Sequence, residues 1–442
     1  MFAAPRDDLA RSQLTRLQAR RLTALLAEIL PRNRFYARKF AAAGVEAHAL
    51  TFPDDLHRLP FTTKAELLAS QAVEPPYGDL LTYPLERYTR YHQTSGTAGR
   101  PLRWLDTAES WAWAVGCWSA LYRLAGVTAA DRLFFPFSFG PFLGFWTAFE
   151  AASQLGCLCL PGGGMSTTAR LRFLLDTQAT VVLCTPTYAL RLAEVAQVDG
   201  IDLASGPVRA LIVAGEPGGS IPATRARIEA AWGARLFDHN GMTEIGPVGI
   251  ECSEQPGGLH LLETEYVVEV VEPATGAPVP PGTPGELVLT GLGRWGSPLL
   301  RYRTGDLVCV DPQPCPCTRS LVRLDGGIRG RADDMIVIRG NNLHPSTLQT
   351  ILHRFPEVAE FRMEVDRTGS LPLLRIEVEP HPERSDCGPS LAARVEQTIR
   401  DELLFRAEVR PVEPGTLPRF EMKAQRLVRK NAPGTASDAQ TM

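Results

Sequence analysis

No stretch of this chain approaches the roughly 18 consecutive apolar residues of a membrane-spanning helix, so the sequence predicts no membrane span. Arg6, Asp7 and Asp8 stand near the N-terminus with no apolar stretch behind them, which predicts no secretory signal. The nine cysteines are an odd number without framework spacing. That excludes a disulfide-stapled scaffold and points to a reducing, cytoplasmic compartment. A formal net charge of −3 is too small to make a nucleic-acid-binding surface. There is no internal repeat, and the 38 glycines and 36 prolines are scattered as loop punctuation.

What is there is a 442-residue chain, long enough for two or three domains or subdomains. Leu14, Leu17, Leu22, Leu25, Leu26 and Ile29 recur at helical spacing over residues 9–30, and Pro31 ends the run. The Arg-rich face of this helix is expected to be solvated. Thr63-Lys64-Ala65-Glu66 has capping-box spacing and starts a second helix. From about residue 90 to 240, short apolar runs (Leu133–Phe135, Cys157–Leu160, Thr180–Cys184, Ala210–Ala214) alternate with helical patterns (Trp111–Leu121, Ser166–Leu175, Pro222–Trp232). That is the pattern of a buried parallel sheet with crossover helices. Glu263–Glu272 and Gly285–Thr290 instead alternate around a Gly/Pro-rich turn, predicting an antiparallel, β-rich subdomain. After Gly330 the chain restarts with a strand at Met335–Ile338, a helix at Pro345–Arg354, strands near 359–366 and 373–379, and a helix at Ser390–Leu404. The fold class expected is therefore α/β. A large N-terminal domain (1–331) holds α/β subdomains and the β-rich subdomain, and a small α+β domain follows (332–430). The small, polar residues 431–442 are expected to be disordered.

Thr94-Ser95-Gly96-Thr97-Ala98-Gly99-Arg100 joins two glycines to three hydroxyl side chains, and its N–H and O–H groups could wrap phosphate oxygens. It lacks the spacing of a Walker loop. Taken alone, such a loop is more often a plain turn. Four further motifs follow in order: Asp238-His239-Asn240-Gly241-Met242-Thr243-Glu244; Arg301-Tyr302-Arg303-Thr304-Gly305-Asp306; Gly330-Arg331-Ala332-Asp333; and Leu417-Pro418-Arg419 with Lys423-Ala424-Gln425-Arg426. Together these residues resemble the superfamily of acyl- and aryl-CoA ligases, peptide-synthetase adenylation domains and luciferases. Within it they look most like the phenylacetate-CoA ligase branch, over nearly the whole chain.

The resemblance implies an ATP-dependent enzyme that adenylates a carboxylic acid and passes the acyl group to coenzyme A. Thr94, Ser95, Gly96, Thr97 and Gly99, with Arg100, would hold the β- and γ-phosphates; many relatives carry Lys where Arg100 stands. Thr243 would contact the α-phosphate, and Glu244 would bind Mg²⁺, a hard cation suited to a carboxylate. Asp306 would accept from the ribose hydroxyls beside Arg331. Gly215, Glu216 and Pro217 would lie along adenine, Asp238 would face its amino group, and His239 and Asn240 would border the nucleotide, with contact to a ring substituent of the acid as the other reading of His239; relatives often have Tyr at the place of Asn240. Lys423 would steady the reacting carboxylate and α-phosphate. It follows Met422, where relatives usually have Gly. Asp333 would be the hinge of a mobile C-terminal domain.

The Phe-rich stretch from Phe134 to Phe142 sits where this family shapes its acyl pocket. Phe135, Phe139, Phe142 and Gly241 are the candidate pocket residues, and they favour an aryl or arylacetic acid. Simple core packing is the plainer reading of any one Phe. Cys252, His260, Cys315 and Cys317 form a second constellation, which makes a closed structural zinc site if the two pairs meet in the fold. Ordinary reduced cysteines are the other reading. A stand-alone enzyme loading a carrier protein would show the same adenylation motifs, and a dead scaffold would show eroded ones. Intact Glu244, Asp306 and Lys423 oppose the scaffold. A homodimer is allowed for.

Overall fold

The computed structural model describes residues 9–46, 49–94, 100–332, 336–338, 341–343, 345–366, 373–403, 407–420 and 424–430. Three helices open the chain: α1 (Arg11–Ile29), α2 (Arg34–Ala43) and α3 (Lys64–Val73). Thr63 and Glu66 cap α3 reciprocally, as their spacing predicts. A hairpin of β1 (Tyr88–Gln93) and β2 (Arg103–Thr107) leads into α4 (Ala108–Leu124). Strands and helices then alternate: β3 (Arg132–Phe135), α5 (Leu143–Gln154), β4 (Leu158–Pro161), α6 (Thr167–Asp176), β5 (Val181–Cys184), α7 (Pro186–Val198), β6 (Ala210–Val213), α8 (Pro222–Trp232) and β7 (Arg235–Met242).

β7, β6, β5, β3 and β4 lie side by side in that order, all parallel. The apolar runs of β5 and β6 are continuous because both faces of the sheet are covered there. Successive residues divide between two cores. Leu133, Phe135, Val181, Leu183, Ile212 and Phe237 enter one. Phe134, Val182, Cys184, Leu211, Val213 and Leu236 enter the other.

Next come β8 (Gly246–Glu251), β9 (Gly258–Leu261), β10 (Tyr266–Val271), β11 (Pro284–Gly291), β12 (Tyr302–Cys309), β13 (Arg323–Asp325) and β14 (Gly330–Arg331). β8, β9 and β13 extend the large sheet antiparallel from β7. β10, β11, β12 and β14 form the antiparallel sheet expected of the β-rich region. Two details differ from expectation. Glu263–Glu265 is a turn and not part of the alternating strand. The Arg-rich face of α1 is also not simply solvated: Arg11 makes two hydrogen bonds to Glu263, Arg21 pairs with Glu265, and Gln18 donates to the carbonyls of Glu263 and Tyr266.

The C-terminal domain has its own core, from Ile336 through Ile399 to Ala407. A short hairpin of β15 (Ile336–Ile338) and β16 (Asn341–Leu343) precedes α9 (Pro345–His353). β17 (Val358–Asp366) and β18 (Leu373–Pro380) pair antiparallel. The amphipathic α10 (Gly388–Leu403) follows, and β19 (Glu408–Pro411) and β20 (Leu427–Lys430) flank the sheet in the order β19-β18-β17-β20. The fold is thus mixed α/β with several sheets and a separate C-terminal domain. The tail expected to be disordered lies outside the described residues, as does Asp333.

Candidate active site

The β1–β2 hairpin carries the glycine-rich loop at its turn. Its base is pinched by two hydrogen bonds of 3.0 Å: the Thr94 N–H donates to the Leu102 carbonyl, and the Leu102 N–H donates to Thr94 Oγ1. Arg100 is exposed beside it. Ser95, Gly96, Thr97 and Gly99 lie outside the described residues.

A residue that the sequence did not single out ties this hairpin to the Thr243–Glu244 turn. Arg294 is buried and donates from Nε and Nη2 to the two carboxylate oxygens of Asp106 in β2, both at 2.6 Å. From Nη1 it also reaches the carbonyls of Thr243 (2.7 Å) and Glu244 (2.9 Å). Burial pushes the Asp106 carboxyl up, but the adjacent guanidinium more than offsets this and holds it below its ordinary value. The Glu244 side chain is itself buried and meets Lys64 Nζ, at the start of α3, 3.0 Å away. Lys64 was visible in the sequence only as part of a helix cap.

Strand β7 separates two environments, because its side chains alternate between the two cores. On the side of Leu236, Asp238 accepts a hydrogen bond from the Ser220 hydroxyl. Enclosure by protein pushes its carboxyl up to about 7, the Ser220 hydroxyl lowers it, and the charge of Glu251 raises it further. Glu251 accepts from the Asp238 N–H at 3.0 Å and is paired with Arg225. Gly219 runs so close that a Cβ there would stand 2.5 Å from Asp238 Oδ1, so only glycine fits. Asn240 is buried, and neither polar atom of its amide has a partner among the described residues. A buried amide left without partners is uncommon in a folded chain and marks this position for a ligand or water.

The segment Ala214-Gly215-Glu216-Pro217 leaves the end of β6, with Gly215 at a φ of 93° that favours glycine. The Glu216 carboxylate accepts from two backbone N–H groups: Thr187, in the first turn of α7, at 2.8 Å, and Ala424, in the C-terminal domain, at 2.7 Å. Arg426 adds a second link between the domains, donating to Thr187 Oγ1 at 3.2 Å. Glu360 holds Arg426 from below with both carboxylate oxygens, and the guanidinium lies over the Phe361 ring. Lys423, next to Ala424 in the chain, is outside the described residues.

Asp306 and Arg331 are register partners on β12 and β14, and Arg331 Nη1 donates to Asp306 Oδ1 at 3.1 Å. The arginines ahead of Asp306 in the same motif are structural: Arg301 grips Glu269, and Arg303 pairs with Glu286.

On the other side of β7, His239 Nδ1 lies 2.8 Å from the Gly249 carbonyl, and Trp118 of α4 packs against the ring with centroids 4.3 Å apart. Burial pushes this imidazole down to about 4. The same core holds a chain of aromatic contacts. Phe135 meets Phe137 and Phe149, and Phe139 meets Phe137, Trp146 and Phe149, with centroids 4.9–5.9 Å apart. Phe135 is fully buried, so it backs this wall and presents no surface of its own. Phe139 and Phe142 are half-buried, and Gly241 is exposed.

The cysteine and histidine pairs meet. Pairing of β13 with β9 folds the loop carrying Cys315 and Cys317 back over His260, while Cys252 follows β8. Cys252 Sγ lies 3.5 Å from Cys315 Sγ, Cys317 Sγ lies 3.3 Å from His260 Nε2, and all four ligand atoms fall within 4.8 Å of one another. Tetrahedral zinc, with Zn–S of about 2.3 Å and Zn–N of about 2.0 Å, needs ligand atoms about 3.5–3.8 Å apart. His260 Nδ1 faces the Leu321 carbonyl at 3.2 Å, which leaves Nε2 free to bind a metal. Among the described residues no helix is long and apolar enough to cross a membrane.

Residues 91–294 match the family profile of the AMP-binding enzymes, and residues 340–431 match that of the AMP-binding enzyme C-terminal domain. The chain is 32% identical to the phenylacetate-coenzyme A ligase of Thermus thermophilus over 440 residues, covering 95% of this chain and 97% of that one. It is 31% identical to the phenylacetate-coenzyme A ligase of Escherichia coli K12, covering 96% of each. Among solved structures, 2-hydroxyisobutyryl-CoA ligase in the postadenylation state with 2-HIB-AMP superposes with a TM-score of 0.90 at 28% identity. That match covers 96% of this chain and 91% of the other. The same ligase with 2-HIB-AMP and CoA in the thioesterification state gives 0.72 over the same shares.

Proposed function

We propose an acid and a set of residue roles for this chain on the premise that it belongs to the AMP-binding enzymes, as an AMP-forming acyl- or aryl-CoA ligase of the phenylacetate-CoA ligase kind. Such a ligase activates a carboxylic acid with ATP and joins the acyl group to coenzyme A. An oxygen of the carboxylate attacks the α-phosphorus of ATP and pyrophosphate leaves. The thiol of coenzyme A then attacks the acyl carbon and AMP leaves. Loading of a carrier protein, which the motifs alone left open, is not favoured, since the full-length relatives are named as coenzyme A ligases.

The acid is aryl or arylacetic. The observation that carries this is the aromatic wall of Phe137, Phe139, Phe149 and the exposed Trp146 on the His239 side of β7, in which Phe139 meets Trp146 and Phe149 edge to face. The nucleotide takes the other side. Asp238 and the backbone of Gly215–Pro217 border adenine, and the orphaned Asn240 amide gains a partner there. Asp306 accepts from the ribose hydroxyls, and Arg331 holds its carboxylate in place. Thr243 meets the α-phosphate, and Thr94–Gly99 with Arg100 hold the β- and γ-phosphates. Arg294 keeps these two phosphate-binding elements in register through Asp106.

Glu244 is the carboxylate that would hold Mg²⁺, which supplies charge neutralisation to the phosphates. Its pairing with Lys64 supports this, because it marks the carboxylate as a place where a cation settles. Lys423 completes the site from the C-terminal domain, with Asp333 as hinge and a domain boundary at 331/332. The higher TM-score to the postadenylation form of 2-hydroxyisobutyryl-CoA ligase supports a lid placed for the first half-reaction. Glu216 and Thr187 fasten it there. Cys252, His260, Cys315 and Cys317 would hold a structural zinc, and four protein ligands leave it no open position for catalysis.

The test is ATP–pyrophosphate exchange with a panel of benzoic, arylacetic and short aliphatic acids, followed by coenzyme A consumption. Exchange and thioester formation are expected with aryl or arylacetic acids. Activity confined to aliphatic acids would overturn the choice of acid.

A further inference from the structure

We propose that the acid activated by this chain carries a hydrogen-bond donor, a hydroxyl or amino group on its aromatic body, and that His239 Nε2 receives it. This deepens the reading of the acid as aryl and rests on it.

The Gly249 carbonyl, 2.8 Å from Nδ1, can only accept, so Nδ1 must donate. Burial holds the imidazole well below neutral pH, so the ring has one proton to give and Nε2 is a bare acceptor. Trp118 packs against the ring and fixes its plane, so the lone pair keeps one direction. Among the described residues Nε2 has no hydrogen-bond partner, although His239 is 7% exposed. An acceptor held in one direction without a protein partner is open to a donor from a ligand or water.

The place of this lone pair is set by β7. Phe237 and His239 alternate onto the face that carries the aromatic wall, away from Asp238 and Asn240. In front of Nε2 the chain has Gly241, where a Cβ would stand only 3.3 Å from the nitrogen. A side chain at 241 would crowd that space, and glycine leaves it open. The reacting end of the substrate cannot fill it, because a carboxylate offers no donor at neutral pH. An unsubstituted ring would press C–H groups against the lone pair. A hydroxyl or amino substituent satisfies it, and sites of this kind reject analogues that lack the donor far more strongly than apolar pockets reject a missing methylene. His239 is thus a specificity residue that transfers no proton.

The experiment compares matched acids in ATP–pyrophosphate exchange on the full chain: phenylacetate against its ring-hydroxylated and ring-aminated forms, benzoate likewise, and the methoxy analogue of each hydroxy acid. The best donor-bearing acid is expected to exceed its unsubstituted and methoxy partners by about tenfold or more in kcat/KM. In His239→Phe that ratio should collapse toward one, through a larger loss on the donor-bearing acid than on the unsubstituted acid. His239→Gln, which keeps an acceptor, should retain part of it. Equal use of unsubstituted and donor-bearing acids by the wild type overturns the proposal, whatever the variants do. A ratio that survives in His239→Phe also overturns it. Exchange with aryl acids but without donor preference would sink this inference and leave the aryl reading standing. Exchange with aliphatic acids alone would sink both.

Discussion

Asp106 and Arg294 lie 188 residues apart and form a buried ion pair through two hydrogen bonds of 2.6 Å. The remaining arm of the guanidinium holds the carbonyls of Thr243 and Glu244. One side chain therefore sets the distance between the hairpin that carries the glycine-rich loop and the turn that carries Thr243. Arg294→Ala leaves the buried Asp106 with only His92 Nδ1, 3.8 Å away, and should cost about 3–5 kcal/mol of stability by urea unfolding. Arg294→Lys keeps the charge but cannot span carboxylate and carbonyls together. It should fold and lose about 10²-fold in ATP–pyrophosphate exchange. Full activity in the lysine variant would show that the register is set elsewhere.

Glu216 joins the two domains by accepting from Thr187 and Ala424 together. An amide in its place can accept through one atom only, so Glu216→Gln should release one of the two N–H groups. The adenylation half-reaction should fall about tenfold. Thioester formation from supplied acyl-adenylate should be unchanged if the lid takes another position for that step. Equal losses in both half-reactions would mean that Glu216 acts on the nucleotide and not on the lid.

Asp238 titrates near 7 in the folded chain, against an ordinary 3.8, because protein encloses it. The raised value means that folding favours the protonated form. Its stabilising contribution is fully present below pH 3.8 and is lost as pH rises through about 7. This group should therefore lower the stability of the ligand-free protein between about pH 4 and pH 7 and add little further change above pH 8, measured by urea midpoints at about 0.1 M salt. Asp238→Asn should flatten that slope. A slope identical to wild type would place the titration in another group.

Zinc content provides a further check. Protein purified without added metal should carry about one equivalent of zinc, and Cys315→Ser should lower both the content and the melting temperature. Less than a tenth of an equivalent in folded, active wild type would leave the cluster as reduced thiols.

Much of the fold could be read from the chain because its signals are local. The runs Val181–Cys184 and Ala210–Val213 are apolar at every position, and that pattern needs a sheet covered on both faces. Thr63 and Glu66 cap a helix through contacts three residues apart. Five motifs kept in order pointed to ATP-dependent acid activation before any distance was known. Other features depend on contacts between distant segments. Arg294 sits among ordinary residues with no motif around it, and its role arises only when β2 comes beside the Thr243 turn. Lys64 looked like a cap residue until α3 brought it to Glu244. Glu216 looked like backbone along a nucleotide until the C-terminal domain brought Ala424 to its carboxylate. The four metal-ligand candidates were nameable from their side chains, but only the pairing of β13 with β9 could decide that they meet. Sequence by itself determined many of the elements, since hydrophobic periodicity acts over a few residues, and it gave the class of chemistry through the family resemblance that five ordered motifs carry. Tertiary structure alone decided which carboxylate meets which cation, and which nitrogen of His239 stays without a proton, because those depend on groups tens to hundreds of residues away, or on the neighbouring strand.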